Sequence, residues 1–226
     1  MKKLFLLLML LPWVSLLNGQ THYESHVHVG GHAGVTMSEM SFSPSVKQKF
    51  TQGLTMGVAV RYAEERHVGL IAELNLSQRG WAEKFEESPL NYSRTLTYID
   101  LPVMTHIFFG GRNFKGFVNL GPQISYMVGN SISSNFDYAN PKSDPDFPTT
   151  FRMTEQMSMP VKNKFDYGIT AGLGCEGIIR RRHSVMLEAR FYYGLGNIYS
   201  STKKDTFSAS RNISLAVTLG YMFRIK

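Results

Sequence analysis

The sequence predicts an all-β fold, an eight-stranded antiparallel up-and-down transmembrane β-barrel. Three observations predict it: an export signal at the N-terminus, segments that alternate apolar and polar residues, and connections that alternate short and long. Residues 67–79, HVGLIAELNLSQR, show the alternation best. Val68, Leu70, Ala72, Leu74 and Leu76 fall on one face of a strand, with Gly69, Ile71, Glu73, Asn75 and Ser77 on the other. A soluble sandwich packs its apolar face inside, and strands as long as this one are unusual there. A membrane barrel turns the apolar face to lipid and needs about 9 to 11 residues to cross.

Lys2 and Lys3 precede the apolar run Leu4 to Leu11, and a less apolar stretch ends at Leu17, Asn18 and Gly19. This is the pattern of a secretory signal peptide over 1–19, with cleavage after Gly19. A spanning helix needs about 20 apolar residues, which this run does not reach. Removing Lys2 and Lys3 from the 24 basic residues leaves 22 against 17 acids, a mature net charge of +5. An exported chain does not meet nucleic acid, so outer-membrane lipid and lipopolysaccharide headgroups are the expected counter-charge. Cys175, the single cysteine, forms no internal disulfide and falls on the apolar side of its segment. Residues 20–226 contain no composition break and read as one barrel domain.

Seven further segments follow the same rule. Residues 23–35 place Val27, Val29, Ala33 and Val35 opposite His26, His28 and His32. Residues 51–62 send Leu54, Met56, Val58, Val60 and Tyr62 outward and Arg61 inward. Residues 94–109 put Ile99, Leu101, Val103, Ile107 and Phe109 out, with Asp100 and His106 in. Residues 114–128 oppose Val118, Leu120, Ile124 and Tyr126 to Asn119, Gln123 and Ser125. Residues 164–178 set Phe165, Tyr167, Ile169, Ala171 and Leu173 against Asp166, Thr170 and Glu176. Residues 184–193 turn Glu188 and Arg190 inward, and 211–224 point Ile213, Leu215, Val217, Leu219, Tyr221 and Phe223 outward.

Eight is an even number, as a closed antiparallel barrel with both termini on one side requires. Residues 63–66, 110–113 and 179–183 are turn-like, whereas the other four connections are long and polar. Short periplasmic turns opposite longer outer loops are the topology of an outer-membrane barrel. The longest connection, 129–163, carries Pro141, Pro145, Pro148 and Pro160 and no sustained period, and reads as a mobile surface excursion. Outward aromatics gather near both strand ends. Tyr62, Phe109, Phe114, Tyr221 and Phe223 mark the turn side; Tyr126, Phe165, Tyr167 and Tyr193 mark the loop side. A soluble lipid-binding barrel would instead need apolar residues inside, where these strands place Glu, Asp and Arg.

The runs GLIAELNLSQRGW (69–81), YIDLPVMTHIFFG (98–110) and FVNLGPQISYMVG (117–129) occur in this order and together resemble the PorT-like outer-membrane β-barrel family of Gram-negative bacteria. The resemblance covers most of the mature chain. It implies residence in the cell outer membrane and a structural or interaction role, in protein secretion or envelope maintenance with other envelope or secretion proteins as partners. It supplies no catalytic motif.

The inward ionisable set is Glu73, Asp100, Glu188 and Arg190 near mid-strand, with Arg61 and Glu176 nearer the turns. An eight-stranded barrel is only just wide enough for side chains to fill it, so these groups are expected to pair as a structural lumen charge network. An ion path is the functional alternative. Two imidazoles at i and i+2, as in His26 and His28, can share a metal, but no third ligand is identifiable and no metal or cofactor is expected. A lipid-modifying enzyme would need an activated nucleophile. His183 and Ser184 are adjacent and so fall on opposite faces of a strand. No catalytic residue is nominated, the chain is read as non-enzymatic, and narrowness argues against the remaining alternative, a porin-like pore. Gly168, Gly172 and Gly174 are expected to relieve crowding inside the narrow lumen.

Overall fold

The computed structural model describes residues 25–63, 67–85, 88–148, 153–202 and 205–225. Residues 1–19, read from the sequence as a signal peptide, lie outside the described residues. Among the described residues nine strands occur in chain order: β1 His26–Ser43, β2 Gln48–Lys49, β3 Thr51–Ala63, β4 Val68–Glu83, β5 Tyr92–Gly110, β6 Phe114–Ser134, β7 Phe165–Ile179, β8 His183–Gly194 and β9 Ala209–Arg224. Eight of them form a closed antiparallel ring in the order β1, β3, β4, β5, β6, β7, β8, β9, which closes where β9 pairs with β1. Closure gives each of the eight ring strands a partner on both sides through the belt, the condition for crossing lipid with strands.

The ninth strand is a fragment. Gln48 and Lys49 pair with Glu83 and Ala82, on a part of β4 that extends past the end of its β3 pairing. Two residues carry no periodicity, which is why alternation alone counts eight.

The faces divide as the alternation predicts. Leu54, Val58, Leu120, Ile169, Leu173 and Leu219 are exposed outward, while Arg61, Glu73, Asp100, Glu176 and Glu188 are buried within. Such an apolar exterior would be a large liability in water, and it is the surface that lipid covers. Tyr62, Phe109, Phe114, Tyr221 and Phe223 are exposed toward the turn end, and Tyr126, Phe165 and Tyr167 toward the loop end, giving the two girdles.

Several strands run further on the loop side than their alternation suggests. The strand read over 23–35 extends to Ser43, that of 67–79 to Glu83, and that of 114–128 to Ser134. The reason is an inversion of polarity. In β1, Val35 and Met37 are exposed apolar residues and the alternating Thr36 and Ser38 are buried; farther on, Met40 and Phe42 are the buried ones and Ser43 is exposed. In β4, Leu74 and Leu76 face out, whereas Trp81 is completely buried. The strands thus leave the hydrocarbon and continue into water, where the outer face turns polar and the inner face apolar.

That overhang encloses an aromatic core over the outer mouth, formed by Met40, Phe42, Trp81, Tyr92, Leu96, Tyr98, Met127, Met157, Ile198, Tyr199 and Phe207. The ring of Phe42 lies 5.4 Å from Trp81, edge-on, and 5.1 Å from Phe207. The single helical turn α1, Glu155–Ser158, buries Gln156 and Met157 in this core. The expectation of a mobile surface excursion over 129–163 is corrected accordingly. Residues 135–148 are largely exposed, but the later part is a plug, because buried donors hold its carbonyls. Tyr92 Oη donates to Met157 O at 2.8 Å, Tyr199 Oη to Gln156 O at 2.8 Å, and Arg94 Nη1 to Met159 O at 2.7 Å. The Tyr199 phenol, in the loop before β9, is held well above its ordinary pKa by burial and remains a neutral donor.

With the short turns in the periplasm, trypsin added to intact cells should cut after exposed Lys142 and spare Arg112 and Arg180 to Arg182. Peptide mapping by mass spectrometry reads the outcome. Cleavage at Arg180 to Arg182 in unbroken cells would invert the orientation.

Candidate functional site

The lumen is an enclosed polar environment, and its described ion pairs lie in three layers. Nearest the turns, Arg61 of β3 donates to Glu176 of β7 through Nη2 at 2.7 Å and Nη1 at 2.9 Å. In the middle, Arg190 of β8 donates to Glu73 of β4, Nη2 to Oε1 at 2.8 Å, and to Glu188 Oε2 at 2.7 Å. Nearest the loops, Arg79 of β4 is bonded to Asp100 of β5, which also accepts from Ser77.

In a ring of eight, β3 lies opposite β7 and β4 opposite β8. Arg61 to Glu176 and Arg190 to Glu73 are therefore struts across the full diameter of the lumen. A bidentate guanidinium fixes both distance and angle, so each strut ties two non-neighbouring walls whose strands share no hydrogen bond. Neutral amides complete the middle layer. Asn75 Nδ2 donates to Glu73 at 2.8 Å and Asn119 Nδ2 to Glu188 at 2.9 Å. His32 Nε2 lies 3.8 Å from Glu73.

Room for this layer comes from glycine. A Cβ on Gly172 would stand 2.1 Å from Glu188 Oε1, and one on Gly57 would stand 1.9 Å from Asn75 Oδ1. Neither neighbour can retreat without losing a bond to the Arg190 cluster.

Of the sequence-predicted set, Arg190 meets Glu73 and Glu188, and Arg61 meets Glu176. Asp100 does not join Arg190. Its partner is Arg79, which alternation places inward but which sits at the end of the segment read from sequence. Arg79 is completed by rings: its Cζ lies 4.4 Å from the centroid of Tyr98 and 4.6 Å from that of Tyr192, the cation–π range. Asp166 is bound there too, accepting from Asn212 Nδ2 at 2.8 Å and Tyr192 Oη at 3.1 Å. The signal for Arg79, Tyr98 and Tyr192 is their parity in the strands; what parity does not give is which opposing strand each one meets.

The histidines part company. His106 shares Nδ1 with Asn119 at 2.7 Å and lies near Arg61, His32 belongs to the Glu73 layer, and His26 is joined to Arg224. Among the described residues no group of three or more His, Cys, Asp or Glu side chains is placed to hold a metal ion. His183 and Ser184 occupy opposite faces of β8, with His183 Nδ1 at 2.5 Å from the Tyr221 hydroxyl on the outer side.

The model of the outer membrane protein beta-barrel domain matches residues 18–200, most of the chain. The chain belongs to this family. Its strands are those of an outer-membrane barrel, and the protein resides in the outer membrane. Among solved structures, OprG from Pseudomonas aeruginosa is similar over 90% of this chain and 97% of its own, with 10% identity and a TM-score of 0.55. Neisserial surface protein A covers 89% of this chain and 99% of its own, at 10% identity and a TM-score of 0.44. At 10% identity the likeness to OprG extends to the fold alone. No curated protein matches the sequence.

The struts predict a specific loss. Arg190→Met leaves Glu73 and Glu188 buried without their cation, and removing one partner of a buried ion pair typically costs about 3 to 5 kcal/mol. The variant should lose the compact fast-migrating band on an unheated gel at a lower urea concentration than the parent. Arg190→Met combined with Glu73→Gln and Glu188→Gln should recover part of the difference. A single variant as urea-resistant as the parent would show that the strut carries no stability.

Proposed function

We propose that this outer-membrane barrel is a non-enzymatic interaction scaffold of the PorT-like kind, which presents its outer loops and periplasmic rim to other envelope proteins in secretion or envelope maintenance. The observation that carries the reading is the filling of the lumen. Ion-pair layers occupy it at three levels, and the aromatic core with α1 lies over its outer mouth. The gap between the middle and upper layers measures about 40 Å³, room for a few waters where each needs about 10 to 15 Å³. A barrel whose interior is spent on holding its walls together has its two ends left for function.

Crosslinking in cells followed by pull-down tests the reading. The intact protein should return a reproducible set of envelope proteins, and deleting residues 135–148, the exposed part of the longest loop, should remove those bound outside. Planar-bilayer recording should show no steady conductance, even when residues 153–159 are deleted, because the ion-pair layers lie beneath the plug. Steady current from the intact barrel would replace the scaffold with a pore. Altered lipid A in a deletion strain, read by mass spectrometry, would replace it with an enzyme.

A further inference from the structure

The two ends of the barrel differ. The loop end is packed, but at the turn end a vestibule of about 1020 Å³ opens toward the periplasm, at the upper end of ordinary ligand pockets. Its walls are cationic at two depths. Arg112 of the β5–β6 turn and Arg180, Arg181 and Arg182 of the β7–β8 turn stand at the rim. Deeper in, Lys115 faces the lumen with its Nζ 4.4 Å from the centroid of the Phe108 ring. None of these five cations forms an ion pair with a described carboxylate, and the described acid of the vestibule, Glu176, is taken by Arg61. Residues 64–66 lie outside the described residues.

The arginine turn is also built against local preference. Arg180 and Arg181 have φ of 52° and 60°, a left-handed conformation that hairpins normally give to Gly or Asn. Side chains that carry a Cβ are disfavoured there, and strain of this kind concentrates where a side chain serves a binding purpose. Arginine moreover offers a planar fork of donors suited to carboxylates.

We infer that the vestibule is the docking site for an acidic, extended segment of a periplasmic protein, which enters along the barrel axis with carboxylates at both depths. The inference rests on the scaffold reading and names its periplasmic partner by chemistry. Depth decides among anionic ligands. Lys115 pairs in register with Glu176, three residues before Ile179 at the rim, so the two tiers are about 10 Å apart at 3.3 Å per residue. A single phosphate spans one tier only. A phospholipid headgroup stays in the leaflet outside the wall and reaches the rim alone. An extended peptide with acids about three residues apart reaches both, and a concave basic site of this kind focuses the field that draws it in.

The test uses the full barrel in nanodiscs of zwitterionic lipid and a fluorescein-labelled octaglutamate peptide, read by anisotropy. Binding should saturate at one peptide per barrel, weaken with salt, and weaken at least tenfold both in Lys115→Gln and in the rim variant Arg180→Ser/Arg181→Gly/Arg182→Ser. Each variant is first checked for the folded gel band, and Lys115→Arg, which keeps the charge, should bind as the parent does. Loss in the rim variant with no change in Lys115→Gln would mean surface attraction only and overturn the inference. Unchanged peptide binding in both variants, with reduced flotation of the rim variant on phosphatidylglycerol vesicles, would assign the arginines to the membrane surface instead. If no peptide binds but the intact barrel still returns partners by pull-down, the vestibule inference fails and the scaffold reading stands. If pull-down also returns nothing, both fail.

Discussion

The structure depends on one constraint: above its vestibule the lumen of an eight-stranded ring has room for side chains and almost nothing else. A charge that points into it cannot be hydrated freely, so it must find its opposite within the lumen or the barrel loses stability. Arg190 satisfies this from β8 by reaching across to Glu73 on β4 while holding Glu188 on its own strand. Arg61 and Glu176 repeat the solution one layer lower, on walls that also face each other. Backbone hydrogen bonds join each strand only to its neighbours. The struts add the long-range terms, and they require one register, since a slip by a single residue would turn every carboxylate and guanidinium into lipid.

The same strands answer to two solvents. Inside the hydrocarbon the outer face is apolar and the inner face polar; beyond it Met40, Phe42, Trp81, Leu96 and Tyr98 turn inward and build a core of the ordinary soluble kind. That upper core is closed by a turn of the longest loop, whose backbone carbonyls are taken by Tyr92, Arg94 and Tyr199. The barrel is therefore stabilised below by ion pairs among polar walls and above by aromatic packing. The boundary between the two regimes is where the chain emerges from the membrane.

The ends follow from this division. The outer end has long connections, enough chain to fold back and cover the mouth. At the turn end the described connections, 110–113 and 179–183, are short and do not reach over the opening, and the described residues there frame a basic vestibule lined at its rim by Arg112 and Arg180 to Arg182. Length of connection decides which mouth closes.

Much of the membrane belt was legible in the sequence, because parity is a local property. Val68 to Leu76 reveals its lipid face without any knowledge of neighbours, and the same rule places Arg61, Glu73, Asp100, Glu176, Glu188 and Arg190 inside. The alternation of short and long connections adds the sense of the topology. Tertiary structure alone decided who meets whom: that Asp100 belongs to Arg79 and not to Arg190, that two of the pairs cross the full diameter, and that residues 153–159 form a plug. The physical reason is that an inward charge is specified by alternation along one strand, whereas its partner is specified by ring closure and stagger. The overhangs were missed for a related cause, since the period persists there but its polarity inverts once the strand leaves lipid for water.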